Sequence, residues 1–286
     1  MTTQSHLKPV APPPHAPKAH SAHHDHVRQP KLSLRRRVSY GLLFAGWTVV
    51  SFVFAQLFVL AVLWVGAKLG LTLPFVLNET VLQTTVSIVV YLVTIVTAVG
   101  VPWKLLGQRL SWGDVGLAQQ LPRWRDIGLA PVAFVAALVV TGIAMYVASL
   151  VIPGVDLETK QQVGFENITQ RYEMLLAFFT LVVLAPICEE FLFRGYLYGR
   201  VRKYYSALWA VVLTSLVFGL MHVYAGPGMP LQWNVMIATT VLALFIGALR
   251  EYTGSIWAGI LVHMLKNGVA FFALFIAPLL GISLVQ

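Results

Sequence analysis

Two adjacent carboxylates, Glu189 and Glu190, and one guanidinium, Arg194, sit inside an apolar run that reads as a membrane span from Met174 to Tyr198. An ionisable side chain in hydrocarbon costs roughly 2.5–3.5 kcal/mol on insertion scales, so a cluster of them marks a functional site by default. Of the 8 histidines, six precede Val27, and only His222 and His263 fall inside apolar runs. Spacing divides the roles. Glu190 and Arg194 are i,i+4 on one helix face and should pair. Such a pair chiefly satisfies itself and is read as structural. Glu189 points about 100° away and has no partner within its own turn. A desolvated, unpartnered carboxylate is poised as a general base. His263 and Asn267 are also i,i+4, which puts a ring nitrogen and an amide donor on one face, an arrangement suited to binding an oxyanion. Phe218 lies one turn before His222 and would pack under it. Lys266 is expected to snorkel or to face a wet cavity. Cys188 adjoins the acidic pair, but a thiol in an apolar site beside carboxylates is a poor nucleophile.

The rest of the chain must bring these groups together. Of 286 residues, 58% are hydrophobic and 11% are charged, against about 25% charged in soluble domains. The fold expected is all-α, a polytopic membrane bundle. The net charge of +9 lies mostly in the N-terminal tail and short loops, so it does not point to nucleic acid. One cysteine excludes an internal disulfide. Residues 1–39, rich in Pro, His and basic side chains, show no apolar periodicity and read as a disordered cytoplasmic tail. Its histidine tract could hold a metal only loosely, and a solvated tail is the preferred reading.

Seven apolar spans follow, near Tyr40–Gly66, Thr80–Val101, Ile127–Ile152, Met174–Lys203, Ala207–Tyr224, Trp233–Leu249 and Ser255–Phe272. Pro278 and Gly281 end the last span or bend it into a short eighth segment. Residues 40–152 are expected to form three N-terminal spans with an interfacial, Trp-rich loop at Trp103–Arg125, and residues 172–286 the catalytic membrane domain. Gly226-Pro227-Gly228 breaks the chain between the fifth and sixth spans. Lys and Arg fix the orientation. Arg35, Arg36 and Arg37, then Lys104, Arg109, Arg123 and Arg125, then Arg200, Arg202 and Lys203, then Arg250 all fall on the side of a cytoplasmic N-terminus. Few basic residues, Lys68, Lys160 and Arg171, fall opposite.

Depth allows the groups to meet. With a turn near Tyr204, Glu189 and His222 each lie roughly 22–27 Å from it at 1.5 Å per residue, so antiparallel neighbours place them level. His263 is expected to be shallower by about 10 Å unless the fourth helix protrudes into the cytoplasm, as Arg200, Arg202 and Lys203 suggest.

Glu189-Glu190-Phe-Leu-Phe-Arg194, then Phe218-Gly-Leu-Met-His222, then His263-Met-Leu-Lys-Asn267 resembles the ordered motifs EExxxR, FxxxH and HxxxN of the CPBP family of intramembrane proteases. That family includes the type II CAAX prenyl endopeptidases and the bacterial Abi proteins. The resemblance covers about Glu173–Ala270. It implies that Glu189 activates water, that His222 binds the same water or a metal, that His263 and Asn267 stabilise the oxyanion, and that Arg194 holds Glu190. The family is often labelled metalloprotease. His222, His263 and a glutamate have the donor types of a two-nitrogen, one-carboxylate zinc site, and can equally bind water without metal. The metal-free route is preferred, because Glu189 cannot easily be both ligand and base.

The function expected is hydrolysis of a peptide bond in a membrane-associated protein or peptide, in a cavity open to the cytoplasmic side. Nothing in the sequence shows a prenyl substrate. The tail and compact size suggest a bacterial inner membrane. The alternatives are a non-catalytic scaffold or bacteriocin immunity protein, and a proton-coupled transporter. A proton relay needs ionisable groups across the full depth, and the spans before Glu173 hold none. A degenerate scaffold would be expected to have lost a motif residue, and none is lost.

Overall fold

A computed structural model describes residues 32–71, 78–152, 164–165, 167–223 and 231–282. These form helices and loops with no strand. We number the helices α1 (Leu34–Lys68), α2 (Glu79–Leu106), α3 (Trp124–Val151), α4 (Arg171–Arg202), α5 (Ala207–Leu220), α6 (Trp233–Thr253) and α7 (Trp257–Ile276). All but α5 are long and apolar enough to cross a membrane. The chain is a multi-pass integral membrane protein. The proline- and histidine-rich tract before Leu32, the Gly226-Pro227-Gly228 break and most of the loop after Ile152 lie outside the described residues.

Two helix ends differ from expectation. α1 begins at Leu34 rather than Tyr40, so Arg35, Arg36 and Arg37 are already helical. α5 stops at Leu220, because a turn follows at Met221 and His222. Its 14 residues span about 21 Å, short of the ~30 Å hydrocarbon core. At the other end of the chain, α7 bends at Pro278 into a single 3₁₀ turn.

Basic residues expected on one side meet at one end of the bundle. Arg37 Nε donates to the Tyr204 carbonyl at 2.6 Å, and Arg200 to the Gln108 carbonyl at 2.9 Å. Lys203 pairs with Asp114 at 3.5 Å, and Arg125 donates to the Thr253 carbonyl at 3.1 Å. The loop after α2 is therefore stapled onto α4 and α6. Gly199 permits the closest approach: a Cβ there would lie 2.7 Å from the Asp114 carbonyl oxygen. Trp112 and Trp124 remain exposed at this end, as interfacial tryptophans do.

The main core lies around α4. Leu192, Phe193, Tyr196 and Leu197 pack with Val211 and Phe218 of α5, Ala243 of α6 and Phe44 of α1. A second cluster joins α3 to α6 and α7 through Phe134, Leu242, Ile246 and Val262. α1 and α2 pair at the periphery through Ala55, Val59 and Val90.

The helix α4 is not uniform. It widens into π-helical segments at Phe179–Leu184 and Phe191–Leu197, on both sides of the acidic pair. Such bulges recur at functional sites. The wider turns take more residues per turn, so counting residues at the α-helical rise overstates depth along α4.

Candidate active site

Glu190 has no solvent exposure and Arg194 has 1%. Arg194 Nη1 donates to Glu190 Oε1 at 2.9 Å, as the i,i+4 spacing dictates. Arg194 Nη2 reaches the Ala243 carbonyl at 3.3 Å, and the guanidinium stacks over the Phe218 ring at 4.6 Å. The same Glu190 oxygen contacts His263 Nδ1 at 3.0 Å. The charge pair thus ties α4 to α6 and α7 together, while Glu190 Oε2 has no hydrogen-bond partner among the described residues. Gly259 on α7 makes room for it: a Cβ there would come within 3.2 Å of Glu190 Oε2.

Glu189 is 15% exposed and faces the other way. Its Oε2 lies 3.9 Å from His222 Nε2 and 3.8 Å from His263 Nε2. That oxygen has no hydrogen-bond partner among the described residues. These separations are too long for direct hydrogen bonds and suit groups that share a water. His222 Nδ1 is 2.7 Å from the Phe218 carbonyl, one of the acceptors left open where α5 ends. A carbonyl can only accept, so Nδ1 carries the hydrogen and Nε2 presents its lone pair to Glu189. Phe218 lies under His222, with ring centroids 4.5 Å apart, and meets His263 edge-on at 5.9 Å.

The structure therefore brings together Glu189, Glu190, Arg194, Phe218, His222 and His263. The expected 10 Å offset of His263 is absent. α4 does extend to Arg202, and its π segment past Glu190 shortens the distance from the helix end. Asn267 donates its amide to the Leu181 carbonyl at 2.8 Å. That contact uses one of its two N–H donors and ties α7 to the first π segment of α4. Lys266 is half-buried on α7. Cys188 is a free, half-buried thiol.

One expectation is corrected. Glu189 is not without a partner: the Tyr91 hydroxyl of α2 donates to its Oε1 at 2.6 Å. Motif spacing is blind to a contact between residues 98 apart. The only sequence signal was a tyrosine in the middle of an aliphatic span, whose hydroxyl needs a partner once buried.

The fit of a metal can be judged from the donor set. Among the described residues, no group of three or more His, Cys, Asp or Glu side chains is placed to hold a metal ion.

The comparisons with known proteins bear on the segment that carries these groups. The chain is 30% identical over 107 residues to an uncharacterised protein of Mycoplasma capricolum subsp. capricolum, covering 34% of this chain and 31% of that one. The match therefore spans about a third of the relative's length. No solved structure matches the chain. Residues 171–269 match the family model described as Rce1-like, type II CAAX prenyl endopeptidase Rce1-like. That stretch runs from the start of α4 to just past Asn267 and contains each of the three motifs, so over residues 171–269 the chain is similar to the Rce1-like type II CAAX prenyl endopeptidases, in agreement with the resemblance the motifs carry.

Proposed function

We propose that this protein is an intramembrane endopeptidase in which Glu189 activates water to hydrolyse a peptide bond of a membrane-associated protein or peptide. The observation that carries the reading is the buried Glu189 Oε2, unpartnered among the described residues and faced by two imidazole nitrogens at 3.8 and 3.9 Å. A water held there donates one hydrogen to Glu189 and the other to His222 Nε2. Glu189 takes a proton as the water oxygen attacks the scissile carbonyl carbon. His263 acts as an imidazolium: its Nδ1–H is held by Glu190 and its Nε2–H donates to the developing oxyanion, to which Asn267 adds its second amide hydrogen. The tetrahedral intermediate collapses with cleavage of the C–N bond. The proton on Glu189 passes to the leaving amine, giving a carboxylic acid and an amine. Arg194 and Glu190 hold the frame and take no part in proton transfer. In this reading the basic end of the bundle and the mouth of the chamber face the cytoplasm, which the bias of Lys and Arg supports.

The test is a cleavage assay on protein in nanodiscs. The substrates are membrane peptides supplied in pairs, with and without a prenylated cysteine, and the products are sequenced by mass spectrometry. At least one peptide is expected to be cut at a single bond, at a rate that a strong zinc chelator changes by less than about twofold. Loss of activity to the chelator with recovery on adding zinc would overturn the base-only chemistry. A panel left uncut would overturn the protease reading.

A further inference from the structure

The frame around Glu189 is not completed by the segment that carries the motifs. α2 lies outside residues 171–269, yet polar contacts join it to α4 at three successive depths. Asn78 donates to Glu173 at 2.6 Å, the Thr84 and Thr180 hydroxyls meet at 3.2 Å, and Tyr91 donates to Glu189 at 2.6 Å. The residue numbers rise together, so the two helices run parallel. Most of the π segment Phe179–Leu184 lies between Thr180 and Glu189, and there α4 spends more residues than α2 over the same stretch. This matches the wider turn of a π segment. In this register the Tyr91 hydroxyl meets one carboxylate oxygen of Glu189.

We propose that Tyr91 is a positioning residue for the reaction, holding Glu189 Oε1 so that Oε2 is presented to the two imidazoles. This rests on the reading of Glu189 as the base. A carboxylate on a flexible side chain has several rotamers and two equivalent oxygens, and one short hydrogen bond from a rigid phenol selects among them. Other hydroxyls of α2 are used differently: Thr85, Thr94 and Thr97 bond back to carbonyls of their own helix at 2.8, 2.7 and 2.8 Å. Tyr91 reaches across to the reacting group.

Steady-state kinetics and thermal unfolding of Tyr91→Phe, Thr84→Val and Glu189→Gln in nanodiscs test this. Phe keeps the ring and removes only the donor. For Tyr91→Phe, kcat is expected to fall roughly 10- to 100-fold, as for loss of a hydrogen bond to a charged group. KM should stay within about twofold and the melting temperature within about 2 °C. Thr84→Val removes the neighbouring rung without touching Glu189 and is expected to lower the melting temperature while leaving kcat within about twofold. The proposal is overturned if Tyr91→Phe keeps wild-type kcat, if it fails to fold, or if Thr84→Val loses as much kcat as Tyr91→Phe. Glu189→Gln separates the two readings. If it is inactive while Tyr91→Phe is normal, only the positioning role fails. If Glu189→Gln itself stays active, the reading of Glu189 as the base fails with it.

Discussion

Glu189→Gln is expected to lower kcat/KM for peptide cleavage by roughly 10²- to 10⁴-fold, the range set by removing a general base. That corresponds to about 3–5 kcal/mol of lost transition-state stabilisation. Glutamine has the volume of glutamate, and its amide oxygen can still accept from Tyr91, so packing and the α2–α4 contact are retained. What is lost is the ability of Oε2 to accept a proton from water. Protein yield and melting temperature should stay close to wild type, because Glu189 is neither in the Glu190–Arg194 pair nor in the main core. A normal melting curve with a rate reduced at saturating substrate separates chemistry from folding. Activity within about tenfold of wild type would remove Glu189 from the role of base.

Arg194→Met should act on the opposite property. The pair it breaks has 1% and no exposure on its two sides. Removing the cation leaves Glu190 charged in a dry site, with His263 as its remaining close partner at 3.0 Å. Breaking a buried pair on one side costs about 3–5 kcal/mol, and the packing of the guanidinium over Phe218 is disturbed as well. Expression and thermal stability in detergent are therefore expected to drop sharply. Cys188→Ser, at a half-buried free thiol, should change stability by well under 1 kcal/mol. The double change Glu190→Gln with Arg194→Met should recover part of the loss, because no uncompensated charge then remains. Equal stability of Arg194→Met and Cys188→Ser would contradict the structural role of the pair.

Much of this site was legible because hydrocarbon makes charge conspicuous. Glu189, Glu190, Arg194, His222 and His263 stand out in apolar runs, and the i,i+4 spacing of Glu190 and Arg194 specified their pairing without any knowledge of the fold. Antiparallel neighbours joined by a short turn put His222 level with Glu189. The depth of His263 was less legible, since a uniform 1.5 Å rise does not hold through the π segments on both sides of the acidic pair. No local pattern announces those segments. Tyr91 was illegible for a different reason. Its partner is remote in the chain, and a tyrosine in an aliphatic span reads as packing. The staples from Arg37, Arg200 and Arg125 to backbone carbonyls were hidden in the same way. In the sequence the basic residues are topological markers, and only folding shows that their donors also satisfy carbonyls at the ends of neighbouring elements. The early end of α5 follows from a turn at Met221 and His222, where hydropathy alone continues the span to Tyr224.

The most direct test of water activation is a single-turnover cleavage in ¹⁸O-labelled water, with enzyme in excess over a peptide it cuts and both product and enzyme analysed by mass spectrometry. Direct attack by a water held against Glu189 places one labelled oxygen in the new carboxylate of the product and none in the Glu189 side chain. Label in Glu189, with an unlabelled product carboxylate, would mean that the glutamate itself attacks the peptide, and would contradict the account.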